Sequence, residues 1–160
     1  MTLAQFNTCP RYRAEEELLK CCGSTGWVRV MAGRRPFASF DRLEKAADEV
    51  WSKLDAADWM QAFAAHPRIG ERGGHGWSAQ EQSGVNQSAT AVTTALEQAN
   101  HEYLEKFGYI FIVCATGKSG EQMLEILRSR LPNAPEDEIR IAAGEQGKIT
   151  RLRLQRLFDL

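Results

Sequence analysis

Apolar side chains recur along this chain at intervals of three and four residues. Phe40, Leu43, Ala47, Val50, Trp51 and Leu54 form the clearest series, and that spacing lines up one face of a helix. The same period and its punctuation place the other helices. One helix covers residues 10–22: it starts after Asn7 and Thr8, has Pro10 near its first turn, and stops at Gly23. Ser24 caps a second, short helix carrying Trp27, Val28 and Met31, which ends at Gly33-Arg34-Arg35 before Pro36, and Ser39 caps the helix with the series above. Residues 57–65 form another short helix, bearing Trp59, Met60 and Phe63. It stops at His66 because Pro67 disfavours helical geometry in the residue before it.

Beyond a loop with four glycines at 70–76, the period resumes. A long helix is expected over residues 85–107, with Val92, Leu96, Ala99, Tyr103 and Leu104 inward and Gly108 as its terminator. Ser119 and Gln122 make a capping box for a helix running to Leu131, and Pro135 opens a final helix of roughly two dozen residues. Gly144 and Gly147 inside that helix each cost ~1 kcal/mol against alanine, so they mark close packing or a kink. Only Tyr109-Ile110-Phe111-Ile112-Val113-Cys114-Ala115 has strong strand propensity. A lone strand has no partner, so this run reads as a buried extended segment. The expected architecture is all-α: one domain over residues 1–160, about seven to nine helices, and an extended segment near residues 109–116.

Composition narrows the function. Hydrophobic residues make up 43% and charged residues 26% of the 160, as in soluble globular domains, and the net charge of −1 gives no basic excess to attract nucleic acid. The locally basic run from Lys148 to Arg156 has interleaved leucines and reads as a helix with a solvated face and one functional arginine. No stretch reaches the ~20 apolar residues of a bilayer span, the start lacks a signal-peptide pattern, and Phe158-Asp159-Leu160 is not a peroxisomal tail, so the expected location is cytoplasmic. Cys9, Cys21, Cys22 and Cys114 include no Cys-x-x-Cys pair and read as free, mostly buried thiols of a reducing compartment.

The candidate chemistry gathers around His66-Pro67-Arg68-Ile69-Gly70 and Ser78-Ala79-Gln80-Glu81-Gln82. His66, where a helix breaks, either caps carbonyls or moves a proton near neutral pH. Ser78-x-x-Glu81 is a good capping box, yet a helix N-terminus also suits an anionic ligand. The Ser78 hydroxyl, the helix amides and the Gln82 amide can together hold a small polar anion, and Glu81 orients His66 or a substrate hydroxyl. Trp27, Trp51 and Trp59 read as core or pocket wall, and Trp77 as the indole placed to close over a ligand.

Other chemistries fit less well. His66 and His75 lie nine apart across the glycine loop, His101 reads as a lone mid-helix histidine, and no His-Glu-x-x-His exists, so no metal is expected. Ala115-Thr116-Gly117-Lys118-Ser119 imitates the end of a P-loop, but Ile112 occupies the position that needs glycine. It reads as a glycine turn with Ser119 as N-cap. Two alternatives remain at this point: a non-catalytic helical interaction module, and a nucleotide-binding phosphotransferase using Lys118.

In combination these stretches resemble 2-oxo-4-hydroxy-4-carboxy-5-ureidoimidazoline (OHCU) decarboxylase, which yields (S)-allantoin in urate degradation. The matching stretches are His66-Pro67-Arg68-Ile69-Gly70, Ser78-x-x-Glu81-Gln82, Asn100-x-x-Tyr103-x-x-Lys106-Phe107-Gly108-Tyr109-x-Phe111-Ile112 and Lys148-Ile149-x-x-x-Arg153-Leu154; Cys21-Cys22-Gly23-Ser24 and Arg35-Pro36-Phe37 are similar too. The resemblance implies an all-α homodimer that needs no cofactor, with His66 as catalytic acid/base and Glu81 as its carboxylate partner. It assigns substrate contact to Pro67, Ser78, Gln82, Phe111, Ile112, Val113, Cys114, Ala115 and Arg153. With no fused transthyretin-like hydrolase domain and no peroxisomal tail in this sequence, a single-domain, bacterial-style enzyme is expected.

Overall fold

The computed structural model describes residues 1–69, 80–86 and 89–160. Among them every regular element is a helix: α1 (Leu3–Thr8), α2 (Arg11–Cys21), α3 (Thr25–Gly33), α4 (Phe40–Ser52), α5 (Ala56–Ala64), α6 (Ser83–Asn86), α7 (Thr90–Phe107), α8 (Gly120–Arg130) and α9 (Pro135–Leu157). The chain divides into two compact units, Met1–Ala62 with Gln146–Leu160, and Phe63–Glu145.

In the first unit α2 packs on α3 and α3 on α4. Phe6, Leu18, Trp27, Met31, Leu43 and Leu154 are fully buried at its centre. The indole of the buried Trp27 donates to the Ala47 carbonyl at 3.1 Å and that of the half-buried Trp59 to the Trp51 carbonyl at 3.0 Å, so each ring keeps a partner for its one polar atom. Ser24 and Ser39 cap α3 and α4 as expected, accepting from Trp27 N and Arg42 N. Helix α1 was not anticipated, although Thr2 and Gln5 form a full capping box at its start. All four cysteines are free. Burial pushes the Cys21 thiol up to about 12 and the Cys22 thiol up to about 11, which keeps both neutral.

The two glycines of α9 differ. A Cβ on Gly147 would meet the Trp51 ring at 3.8 Å, an ordinary contact, whereas one on Gly144 would meet nothing within 4 Å. Tight packing therefore explains neither glycine.

In the second unit α7 and α6 both pack on α8. The expected helix over residues 85–107 is two elements. Ala89, the residue before α7, has φ −60° and ψ 150°, an extended conformation that stops a helix arriving from its N-terminal side. The apolar period alone does not register this break. Leu96, Ala99, Asn100 and Tyr103 form the buried face of α7, and Gly108, at φ +81°, ends it in the left-handed conformation that suits glycine. His101 is not isolated: its Nε2 lies 3.1 Å from Glu105 Oε1 one turn on.

Tyr109 and residues 111–115 are buried and lie outside any helix or strand, as expected of the apolar run. The P-loop imitation that follows is a turn with Gly117 at φ +78°, leading into the Ser119–Gln122 capping box of α8. The Lys118 ammonium donates back to the Cys114 carbonyl at 2.7 Å, which occupies the group a phosphotransferase would need.

Candidate active site

Proline explains where the candidate imidazole sits. Helix α5 ends at Ala64, and the His66 amide still donates to the Phe63 carbonyl at 3.2 Å before the chain turns away at Pro67. His66 and Pro67 are half-buried and Ile69 is buried. The position of this strand of chain is fixed from α7, where Asn100 Nδ2 donates to the Ile69 carbonyl at 2.7 Å, three residues beyond His66. Asn100 is itself 4% exposed, and its Oδ1 is buried without a hydrogen-bond partner. This buried hydrogen bond ties the chain at Ile69 to α7, and leaving a buried oxygen unsatisfied costs free energy.

Glu81 and Gln82 come just before α6. Glu81 is half-buried, and Gln82 is one of the few buried polar residues. Two residues further on, Gly84 presses against the turn that follows the 111–115 segment. A Cβ built there would lie 2.2 Å from the Lys118 carbonyl oxygen, a backbone atom. Only a residue without a side chain lets the Glu81–Gln82 stretch approach so closely.

The segment of Phe111, Ile112, Val113, Cys114 and Ala115 forms the third part. No strand lies beside it among the described residues, and its backbone groups take side-chain partners. Ile112 C=O accepts from Arg130 Nη1 at 2.6 Å, and the Cys114 amide donates to Glu145 Oε1 at 3.2 Å. Arg130 is 6% exposed and bound to the fully buried Glu138, with its Nε 2.9 Å from Oε2. Glu138 also receives the Tyr103 hydroxyl, and Asn133 Nδ2 at 3.0 Å. Burial, and then the bond to Glu138, push the Tyr103 hydroxyl far above its ordinary range. Burial opposes the charge on Arg130, but the bond to Glu138 outweighs it and holds the guanidinium charged.

His66, Pro67, Glu81, Gln82 and residues 111–115 thus all belong to the second unit, tied to its frame through Asn100, Gly84 and Arg130. Arg153 belongs to the first unit, where it is 9% exposed and donates to the Lys20 carbonyl at 3.3 Å, so it is not the solvent-facing arginine its helix suggests. Ser78 lies outside the described residues, as do His75, Trp77 and the glycine-rich loop. Arg130, Glu138 and Glu145 were not anticipated. Glu138 is one of three acidic residues in the first turn of α9, and such a cluster reads from sequence as simple complement to a helix N-terminus. Among the described residues no group of three or more His, Cys, Asp or Glu is placed to hold a metal ion.

The chain is similar to known proteins over most of its length. The chain is 36% identical over 153 residues to the uric acid degradation bifunctional protein TTL of Arabidopsis thaliana, a match covering 91% of the chain and 47% of that protein. It is 30% identical over 132 residues to the 2-oxo-4-hydroxy-4-carboxy-5-ureidoimidazoline decarboxylase of Amia calva, covering 78% of the chain and 75% of that protein. It therefore spans about half the length of the bifunctional plant relative. Among solved structures, an OHCU decarboxylase crystallised in the presence of (S)-allantoin superposes with a TM-score of 0.82 at 36% identity, over 91% of this chain and 99% of that one. A sequence model of the OHCU decarboxylase family matches residues 7–155, which include every candidate site position, and the chain belongs to that family.

Proposed function

We propose that this protein decarboxylates 2-oxo-4-hydroxy-4-carboxy-5-ureidoimidazoline to (S)-allantoin and CO₂, with His66 as acid/base. The observation that carries this reading is the family match across residues 7–155, in a fold shared at a TM-score of 0.82 with an OHCU decarboxylase. The chemistry suits the residues. Loss of CO₂ breaks a carbon–carbon bond and leaves its electron pair behind. The conjugated imidazoline ring of the substrate accepts that pair, so the substrate supplies its own electron sink.

Each residue then has a task. His66 and Glu81 handle the proton of the 4-hydroxyl. The electron pair moves into the ring as CO₂ departs, a ring nitrogen is protonated, and an enol-like intermediate forms. Gln82, Arg153 and backbone amides of residues 111–115 stabilise the negative charge as it develops. Pro67 and Ser78 complete the contacts to the ring and its ureido arm. His66 then delivers a proton to one face of the carbon bearing the ureido group while the hydroxyl becomes a carbonyl, which sets the S configuration. An imidazole serves here because it titrates near neutral pH and can act in both directions.

The enzyme works as a homodimer in the cytoplasm. No helix among the described residues is long and apolar enough to cross a membrane. Substrate made in place from urate, with urate oxidase and 5-hydroxyisourate hydrolase, tests the reaction. Spontaneous decay gives racemic allantoin, so a circular dichroism signal of (S)-allantoin growing in proportion to enzyme supports the assignment. A racemic product at every enzyme concentration refutes it. Light scattering behind a sizing column gives the mass, and a monomer at working concentration refutes the dimer.

A further inference from the structure

Arg130 and Glu138 form an ion pair that the reaction does not use. Removing two charges from water is expensive, and apolar residues of similar volume commonly serve a core as well or better. The purpose of the pair therefore lies in what it holds. Arg130 Nε faces Glu138, at 3.2 and 2.9 Å from its two oxygens, while Nη1 faces the other way and donates to Ile112 C=O at 2.6 Å. The plane of the guanidinium lies over the Phe111 ring, 4.6 Å from its centroid. Tyr103 and Asn133 fill further lone pairs of Glu138, so the carboxylate is held from α7 and from the link before α9 at once.

The segment so gripped is buried backbone with no strand beside it among the described residues. Such backbone must find its hydrogen-bond partners elsewhere. Here charged side chains stand in for the missing strand: Arg130 on Ile112 C=O, Glu145 on the Cys114 amide and Lys118 on Cys114 C=O. A planar guanidinium clamped by a carboxylate has little freedom, so it fixes the carbonyl it binds far better than a flexible amine would.

We propose that Arg130 and Glu138 are positioning residues of the active site, a clamp that sets the placement of the 111–115 backbone against which the substrate binds. This rests on the assignment of substrate contact to residues 111–115 in the preceding reading. An error of about 1 Å in a positioned group can cost ~100-fold in rate, so the clamp controls turnover without touching substrate.

The test compares wild type with Arg130→Lys and with the double variant Arg130→Met/Glu138→Met, which removes both charges together and leaves no unpaired ion in the core. Melting curves establish that each is folded, hydrogen exchange follows the amides of Val113, Cys114 and Ala115, and circular dichroism gives kcat and KM. The clamp predicts faster exchange in the segment and kcat/KM down ~100-fold in the folded double variant. It predicts a smaller loss in Arg130→Lys, which keeps the charge on Glu138 but loses the fork. Unchanged exchange in the folded double variant overturns the proposal. So does faster exchange with kcat and KM both at wild-type values. A wild type that makes no (S)-allantoin is a different failure: it removes the reading beneath the proposal, and it is seen before any variant is compared.

Discussion

Replacing Gly84 with alanine puts a methyl group where the Lys118 carbonyl oxygen already lies. The built Cβ is 2.2 Å from that oxygen and 3.1 Å from its carbon, while ordinary contact begins near 3.4 Å. The two stretches of chain must therefore part by about 1.2 Å, the difference between 3.4 and 2.2 Å. Neither side yields easily. The oxygen belongs to backbone held between the Gly117 turn and the capping box of α8, and overpacking of this kind costs ~1–3 kcal/mol. A domain of this size then melts roughly 2–12 °C lower. The functional loss is the sharper outcome. Gln82 and Glu81 sit two and three residues from Gly84 and move with it, and if they hold substrate as proposed, a shift near 1 Å costs on the order of 100-fold in kcat/KM. Thermal melting and the (S)-allantoin assay on Gly84→Ala, with Gly144→Ala as a control at an open position, measure both effects. A Gly84→Ala protein with wild-type melting temperature and turnover would refute the reasoning.

Other consequences are as direct. Gly144→Ala adds a methyl group that meets nothing within 4 Å inside a helix, so it should stabilise the fold by ~1 kcal/mol, seen as a melting temperature roughly 2–4 °C higher; an unchanged or lower value contradicts this. Cys21 and Cys22 stay protonated in the folded chain to about 12 and about 11, against 9.0 for an ordinary thiol. Their contribution to stability is whole below pH 9 and drains away as pH rises through that window, because only the unfolded chain releases the protons there. The melting temperature should fall between pH 9 and 11 and fall less steeply in the Cys21→Ala/Cys22→Ala variant; parallel slopes would show that the thiols are not the cause. Glu81→Gln keeps the size of the side chain and removes its charge, so it should lower kcat ~100-fold or more if the carboxylate takes part in proton transfer. A change confined to KM would make Glu81 a binding group only.

The readable parts of this fold were those set by local rules. Serine caps, glycine stops and Pro67 after His66 act within one turn of chain, and the structure places α3, α4, α5 and α9 close to where those signals fall. The burial of Tyr109 and residues 111–115 was legible for the same reason, since a stretch so apolar has nowhere to go but inward. Errors came where a second residue decides the outcome. Arg130 and Glu138 look like solvated ends of two helices until the short link between α8 and α9 folds them together. Asn100 sits in a helical face with nothing local to show that Ile69 C=O is its partner, 31 positions away. Arg153 lies in a locally basic run that reads as a solvated face with one functional arginine, and nothing local shows that it is buried against the Lys20 carbonyl, 133 positions earlier in the chain. The Gly84 contact is of the same kind: the sequence offers a glycine, and only the approach of the Lys118 turn explains why nothing larger fits.

The central claim is that His66 carries protons in the making of (S)-allantoin. The measurement that tests it most directly follows the circular dichroism of (S)-allantoin formed from freshly generated substrate, with wild type and His66→Asn side by side. His66→Asn keeps a polar side chain of similar reach at the end of α5 but cannot titrate near neutral pH. The account predicts a rapid (S)-allantoin signal from wild type and a loss of ~100-fold or more in the variant, with both proteins melting at similar temperatures. A folded His66→Asn variant that produces (S)-allantoin at the wild-type rate would contradict it.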